Sequence, residues 1–314
     1  MGPNAGTGDD RGDADAVPLR ERLSRLVDDH VRTVMVGVPL LVLVAVFVYP
    51  LLWVLYKSLF VTIPGIPTRI DPLYNYGRVA ADSAFYSSMG RTLLYAFGSF
   101  TLSFVGGLFF ALVLHRVRQQ WLRTTYLTVV ALVLAIPVSI VAMLWGAILS
   151  GEPSALLNGV LIDLGLVREP VAFLRIEPLA LPIVILVDAW LRMPLAVLVF
   201  LAGRQSIPEY LYEAARIDGA TTFQAFRHVT LPRLRPYMAT VVLLVWAFAF
   251  QAFSVIWVMT DGGPIYATRT VSLYLYEIGI LYLDFGRGAA ISTVLVAITL
   301  VVTAVYVRIF MDRG

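Results

Sequence analysis

Six strongly apolar runs alternate with polar segments along the chain, near residues 33–59, 88–114, 124–149, 179–203, 236–260 and 287–309. Each is long enough for a helix to cross the apolar core of a bilayer, which takes about 20 residues. No soluble domain fits between them. The pattern predicts an all-α, polytopic membrane protein with six transmembrane helices over residues 33–310. Pro39, Pro50, Pro137, Pro182 and Pro194 interrupt the runs, as bilayer helices tolerate where neighbours re-satisfy the backbone. Residues 1–32 form a polar tail without the basic start, short apolar core and cleavage site of a signal peptide. Its Leu19, Leu23, Leu26 and Val27 mark one face of a short helix, either interfacial or solvated.

Lys and Arg placement predicts the orientation. With the N-terminus inside, the inner segments are the tail, 115–123, 204–235 and the C-terminal end, and they hold 5, 3, 5 and 2 of the 24 basic residues. Both termini and the 204–235 loop are therefore expected in the cytoplasm. Composition supports the membrane reading: 59% of the 314 residues are hydrophobic and the mean hydropathy is +0.80, more apolar surface than a soluble domain hides. The net charge of +3 is scattered without a basic stripe, which excludes a nucleic-acid partner. The absence of cysteine excludes disulfides, thiol nucleophiles and Cys-based metal sites.

The 204–235 loop is a polar island between two apolar runs. Pro208 suits a first helical turn. Residues 208–217 favour helix, and Gly219 is placed to stop it in a left-handed cap. Thr221 or Thr222 is a candidate cap for a second short helix, which Pro232 is expected to end. Ala214 and Ala215 leave a surface of little bulk on which Glu213 stands as a single charge. Read physically, this is either a docking device for a soluble partner or a solvated bent loop.

The spacing of Glu213-Ala214-Ala215, Gly219 and Leu231-Pro232 resembles the EAA signature of bacterial ABC importer permeases, with Val229 where isoleucine is usual. Tyr49-Pro50, Asn75-Tyr76, Asn158 before Leu164-Gly165-Leu166, Asp218-Gly219-Ala220 and Thr260 with Gly262-Gly263-Pro264 resemble the carbohydrate (maltose-permease-like) branch. The resemblance implies a multi-pass subunit of a bacterial inner membrane, working with a second permease, two copies of an ABC ATPase and an extracytoplasmic solute-binding protein on a sugar-like substrate. It implies that Glu213, Ala214, Ala215, Asp218, Gly219, Leu231 and Pro232 couple the permease to the ATPase. Lys57, the only lysine, follows no glycine-rich turn, so the chain carries no P-loop. ATP and Mg are then expected on the partner ATPase, with no cofactor, metal or catalytic residue in this chain. His30, His115 and His228 are far apart in sequence and form no catalytic set.

Within the runs, Asp188 and Arg192 lie four residues apart on one helix face. Ionisable groups in a membrane usually face the bundle interior, so the pair reads as a polar patch of the substrate pathway or as a self-neutralised packing pair. Gln251, Ser254 and Trp257 step by three along the fifth run. As one stripe they would suit a sugar, with C–H faces on the ring and hydroxyls on the polar groups; interhelical hydrogen bonding is the other reading. Many of the sugar permeases that the chain resembles carry an acidic residue where Ser254 stands, so the resemblance leaves the identity of the sugar open. Segments 150–178 and 261–286 are too long for simple turns, and Leu156, Leu157, Val160, Leu161 and Leu164 show helical spacing. Two rival functions stay open. One is a secondary transporter using Asp188 as an ion site. The other is a non-transporting scaffold or enzyme. An importer of a glycerol phosphate ester, amino sugar or peptide is also compatible with the motifs.

Overall fold

The computed structural model describes residue 2, residue 31, residues 33–65 and residues 67–311. The tail positions Leu19, Leu23, Leu26, Val27 and His30 and residues 312–314 lie outside the described residues. The chain divides into two units, residues 1–56 and 57–314.

Among the described residues the architecture is helical, with one two-stranded antiparallel ribbon. In chain order the elements are α1 (Thr33–Ser58), β1 (Phe60–Val61) and β2 (Arg69–Ile70), α2 (Tyr74–Ala80), α3 (Ser83–Arg116), α4 (Gln120–Ala135), α5 (Val138–Ile148), α6 (Leu156–Asp163), α7 (Glu177–Gln205), α8 (Tyr210–Ile217), α9 (Thr222–Phe250), α10 (Ser254–Thr260), α11 (Val271–Leu281) and α12 (Phe285–Met311). Among the described residues five helices are long and apolar enough to cross a membrane, and six if the bent pair α4–α5 is one span.

The proline positions have different outcomes. Pro182 and Pro194 lie inside α7 without breaking it, because α7 is the most buried of the spans and its neighbours hold its axis. At Pro137 the expected kink is instead a 101° break between α4 and α5. Ile136 before it is extended, with φ −79° and ψ 129°, as the ring of a following proline demands. Pro232 does not end a helix, contrary to the sequence expectation. The five-residue π turn Phe226–Thr230 precedes it, and α9 continues to Phe250. The wider turn relieves the clash between the proline ring and the carbonyl four residues back. The same device recurs in α1, where the π turn Val44–Val48 precedes Pro50.

The centre of the second unit is the seam between α3 and α7. Along α3, Ser88, Thr92, Ala96, Ser99, Ser103, Gly107 and Ala111 recur at spacings of three and four and are all buried. Ser99, Ser103, Gly107 and Ala111 meet α7, whereas the Thr92 hydroxyl accepts from the Val271 amide of α11 at 2.9 Å and Ala96 packs with Ala249 and Phe250 of α9. Small residues let backbones approach where lipid supplies no hydrophobic drive between helices. A Cβ on Gly107 would lie 2.5 Å from the Ala196 Cβ and 3.2 Å from its carbonyl carbon. Ser103 Oγ uses the approach to donate to the Ala189 carbonyl at 3.1 Å. Toward the N-terminal end of α7, Leu181, Val184 and Val187 pack with Val255 and Ile256 of α10. Toward its C-terminal end, Ala196, Val197 and Phe200 pack with Val241 and Val245 of α9.

Two asparagines fasten the loops. Asn75 Nδ2 donates to the Ser58 and Phe60 carbonyls at 2.9 and 2.8 Å, so α2 grips the strand β1. Tyr76 and Ser58 hydroxyls meet at 2.7 Å on the same turn. Asn158 donates to the Ser150 and Val171 carbonyls and accepts from the Val171 amide, closing the 150–171 loop around α6.

The seam generates a direct test. Gly107→Val should destabilise the fold by about 1–3 kcal/mol through overpacking, seen as a lower thermal unfolding midpoint in detergent. Gly90→Ala on the same helix, where an added Cβ meets nothing within 4 Å, should not lower it.

Candidate functional site

The loop after α7 folds as two helices about one glycine. Gly219 adopts φ +76°. Its amide donates to the Arg216 carbonyl at 3.1 Å and the Ala220 amide to the Ala215 carbonyl at 2.9 Å, the paired bonds of a Schellman cap. Thr221 then opens α9 with a capping box: its amide donates to Gln224 Oε1 at 2.7 Å, and the Gln224 amide to Thr221 Oγ1 at 3.3 Å. Of the two candidate threonines, Thr221 is the cap. Tyr212 and Thr230 hydroxyls meet at 2.9 Å and fix α8 to α9. The Arg204 guanidinium lies 4.1 Å from the Tyr212 ring centre, joining the loop to the end of α7.

Glu213 projects from α8 as an exposed side chain. Ile217 and Phe223, also on the loop, are 86% and 67% exposed. Between α8 and α9 runs a groove of about 410 Å³, lined by Ala214, Ala215, Gly219, Gln224 and His228 among others. The Ala214-Ala215 pair keeps it open, and Asp218 and Val229 border it. Leu231 and Pro232 lie behind it at the start of the straight part of α9.

Asp188 and Arg192 do pair. Arg192 Nε donates to Asp188 Oδ2 at 2.7 Å, and Ser99 Oγ of α3 donates to the same oxygen at 2.5 Å. Asp188 is fully buried, and the Arg192 guanidinium lies 5.5 Å from the Phe248 ring centre of α9. The pair thus ties α3, α7 and α9 together. Trp190 turns away and meets Trp145 edge-on at 5.8 Å between centres.

Gln251, Ser254 and Trp257 do not form one helical stripe. The fifth run breaks: α9 ends at Phe250, and residues 251–253 are unwound before α10. Gln251 is exposed. The freed backbone is satisfied locally, since the Ala252 carbonyl accepts from Thr270 Oγ1 at 3.3 Å; irregular backbone in a bundle needs such a partner. Trp257 stacks on Phe253 at 5.8 Å and meets Tyr276 edge-on at 4.9 Å.

At the end of α7 remote from the 204–235 loop, charges that sequence reasoning passed over are brought together. Asp82 caps α3 by accepting from the Ala84 amide at 3.0 Å. It also accepts from Arg287 Nη2 at 2.5 Å and from the Tyr274 hydroxyl, and Arg287 donates to Tyr274 Oη at 2.9 Å. Arg78 pairs with Asp284 at 2.6 Å, and Arg269 with Glu277 at 3.1 Å. Burial pushes the Asp82 carboxyl up, but the bonds from Tyr274 and Ala84 and the Arg287 charge outweigh it and hold it below its ordinary 3.8. Burial and the bond to Asp82 push the Tyr274 hydroxyl up to about 12. Burial raises Glu277 despite the opposing Arg269 charge. The partners Arg287–Asp82, Tyr274–Asp82 and Arg78–Asp284 lie some two hundred positions apart, so no local pattern announces them. The small-residue stripe holding Ser99 does have a readable spacing.

Residues 103–312 match the profile of the family described as "binding-protein-dependent transport system inner membrane component". The chain is 34% identical to the trehalose/maltose transport system permease protein MalF of Thermococcus litoralis, over 86% of this chain and 90% of that one. It is 31% identical to the arabinooligosaccharides transport system permease protein AraP of Bacillus subtilis, over 84% of this chain and 83% of that one. In fold it is similar to a chain of a bacterial ABC transporter involved in the import of the acidic polysaccharide alginate, with a TM-score of 0.76, 23% identity and coverage of 92% of this chain and 99% of that one.

The Asp82 cluster makes the stability pH-dependent. A depressed carboxyl contributes stability that is present above its ordinary value of 3.8 and lost as pH falls through its lower folded value. Asp82→Asn should cost about 1–3 kcal/mol at pH 7, and the gap from wild type should narrow below about pH 4. Thermal unfolding of the purified protein at the two pH values checks this.

Proposed function

Because the chain belongs to the family of binding-protein-dependent transport system inner membrane components, we propose that it forms half of the translocation pathway of an ABC importer for a sugar or related polyol in a bacterial inner membrane, with both termini in the cytoplasm. Its partners are a second permease, two copies of an ATPase that binds ATP and Mg, and an extracytoplasmic solute-binding protein. The chain itself is the transport subunit and carries no hydrolytic step. The observation that carries the coupling role is the α8–Gly219–α9 loop, which combines an exposed Glu213, exposed Ile217 and Phe223, and a groove kept open by alanines. The names of the relatives support a carbohydrate cargo.

In this mechanism the ATPase subunits close on ATP and carry the loop with them. Glu213 pairs with a basic group of the ATPase, and the groove receives an apolar element beside it. The loop is continuous with α7 on one side and α9 on the other, and Arg204 on Tyr212 stiffens the first junction. The Asp188–Arg192–Ser99 set and the Gly107 contact make α3 follow α7. The helices then rock as a body and exchange an outward-open for an inward-open pathway. Asp188 and Arg192 serve the pathway by holding its wall, with both groups neutralised inside the bundle.

Two outcomes test the reading. A gentle detergent pull-down of the tagged chain from its native membrane should recover a P-loop ATPase and a second permease; recovery of this chain alone, while other ABC complexes stay intact, would favour a transporter driven by an ion gradient. Glu213→Ala and Gly219→Asp should each reduce solute uptake about tenfold or more, the scale of losing one interfacial charge pair, with membrane insertion unchanged.

A further inference from the structure

A second cavity lies beyond the α3–α7 seam, at the end of α7 remote from the coupling loop. α7 has 29 residues and so separates the two ends by about 43 Å. The cavity holds about 440 Å³ and is walled by the end of α5, the turn at 150–152, the segment 172–175 and α10 with its following turn. Its size is that of a small-ligand site, which typically spans about 300–1,000 Å³. Four side chains give it its chemistry: Trp257, Glu152, Arg175 and Asp261.

We infer that this cavity is an outer subsite for a neutral sugar, with Trp257 as the platform and Glu152 and Asp261 as acceptors for its hydroxyls. The inference rests on the carbohydrate reading above and gives it a location. Trp257 is braced by stacking on Phe253 and by the edge contact with Tyr276. A braced indole offers the C–H face of a sugar ring a fixed apolar plane. The carboxylates accept hydroxyl bonds, and Arg175 donates one.

The acceptor wall is preformed. Asp261 ends α10 in the left-handed region at φ 49°, followed by Gly262 at φ 79°. The Thr260 and Thr268 hydroxyls meet at 2.7 Å, and Thr268 also donates to the Gly263 carbonyl at 2.8 Å. The Asp261 amide donates to the Ile256 and Trp257 carbonyls at 3.0 and 3.2 Å, so the left-handed cap, which aspartate adopts readily, fixes the residue at the end of α10. The break of the fifth run at residues 251–253 makes the site: a continuous helix would not have turned α10 into this wall.

The charge balance sets the class of sugar. The lining carries two carboxylates and one guanidinium, so an anionic uronate meets net repulsion while a neutral ring does not. The subsite therefore selects against acidic saccharides, unlike the cargo named for the structurally similar alginate transporter.

The test uses the whole complex, purified with its partner subunits into lipid nanodiscs without the binding protein. Equilibrium binding is measured for maltose as the neutral probe and an alginate disaccharide as the acidic one. Wild type should bind maltose in preference to the acidic probe. Trp257→Ala should weaken maltose about tenfold, the upper end for one aromatic stack, and Trp257→Phe should restore most of it. Should Trp257→Ala not assemble, the paired change Glu152→Gln with Asp261→Asn keeps the fold, since asparagine tolerates the left-handed region, and should raise binding of the acidic probe relative to maltose. Unchanged maltose binding in Trp257→Ala, or unchanged selectivity in the paired variant, would overturn the subsite. Absence of binding in a complex whose cells take up sugar would overturn it too. If the cells take up no sugar through this system, the carbohydrate reading fails first, and the subsite with it.

Discussion

The close approach of α3 to α7 is the constraint on which the rest of the second unit depends. It exists because the buried positions of α3 from Ser99 to Ala111 are serine, glycine and alanine only. In lipid, association of helices rests on packing and interhelical hydrogen bonds, so this economy of side-chain bulk is what joins them. The approach brings Ser99 to Asp188 and Ser103 to the Ala189 carbonyl. Ser99 thus adds a hydrogen bond to a buried carboxylate whose charge Arg192 of α7 itself offsets. With α7 fixed against α3, its own prolines do no harm, and α9 and α10 have a firm surface to pack on.

The second recurring theme is the treatment of interrupted backbone. Several places where regular backbone is interrupted have a named partner for the freed groups: Thr270 for Ala252, Asn158 for Val171, Asn75 for Phe60, and the Thr221–Gln224 pair for the start of α9. Several motifs that single out this family resolve to this one task. Asn75-Tyr76, Asn158 and Thr260 are fasteners of loops, and their chemistry is hydrogen bonding to main chain or to a neighbouring hydroxyl.

Much of this was legible in the residue order. Run length and hydropathy mark the spans, and Gly219 marks the turn between α8 and α9, because both signals are local. Leu156 to Leu164 showed helical spacing, and α6 forms there. The break after Phe250 was not legible: no proline or glycine interrupts residues 245–260, and the Thr270 hydroxyl that takes up the Ala252 carbonyl lies outside that run. Pro137 and Pro194 look alike in sequence, yet one sits at a 101° break and the other in a straight span. Tertiary packing decides between them. The Arg287–Asp82 and Arg78–Asp284 pairs join positions 205 and 206 residues apart, beyond the reach of any window.

At Gly219 an added Cβ would meet nothing within 4 Å, yet the backbone sits at φ +76°. The demand at this hinge is for handedness and not for room. A residue of the opposite chirality would fit there with a full side chain, whereas an L-residue meets its own carbonyl. The turn that joins α8 to α9 is thus specified by stereochemistry alone, and no neighbouring side chain is recruited to hold the glycine in place.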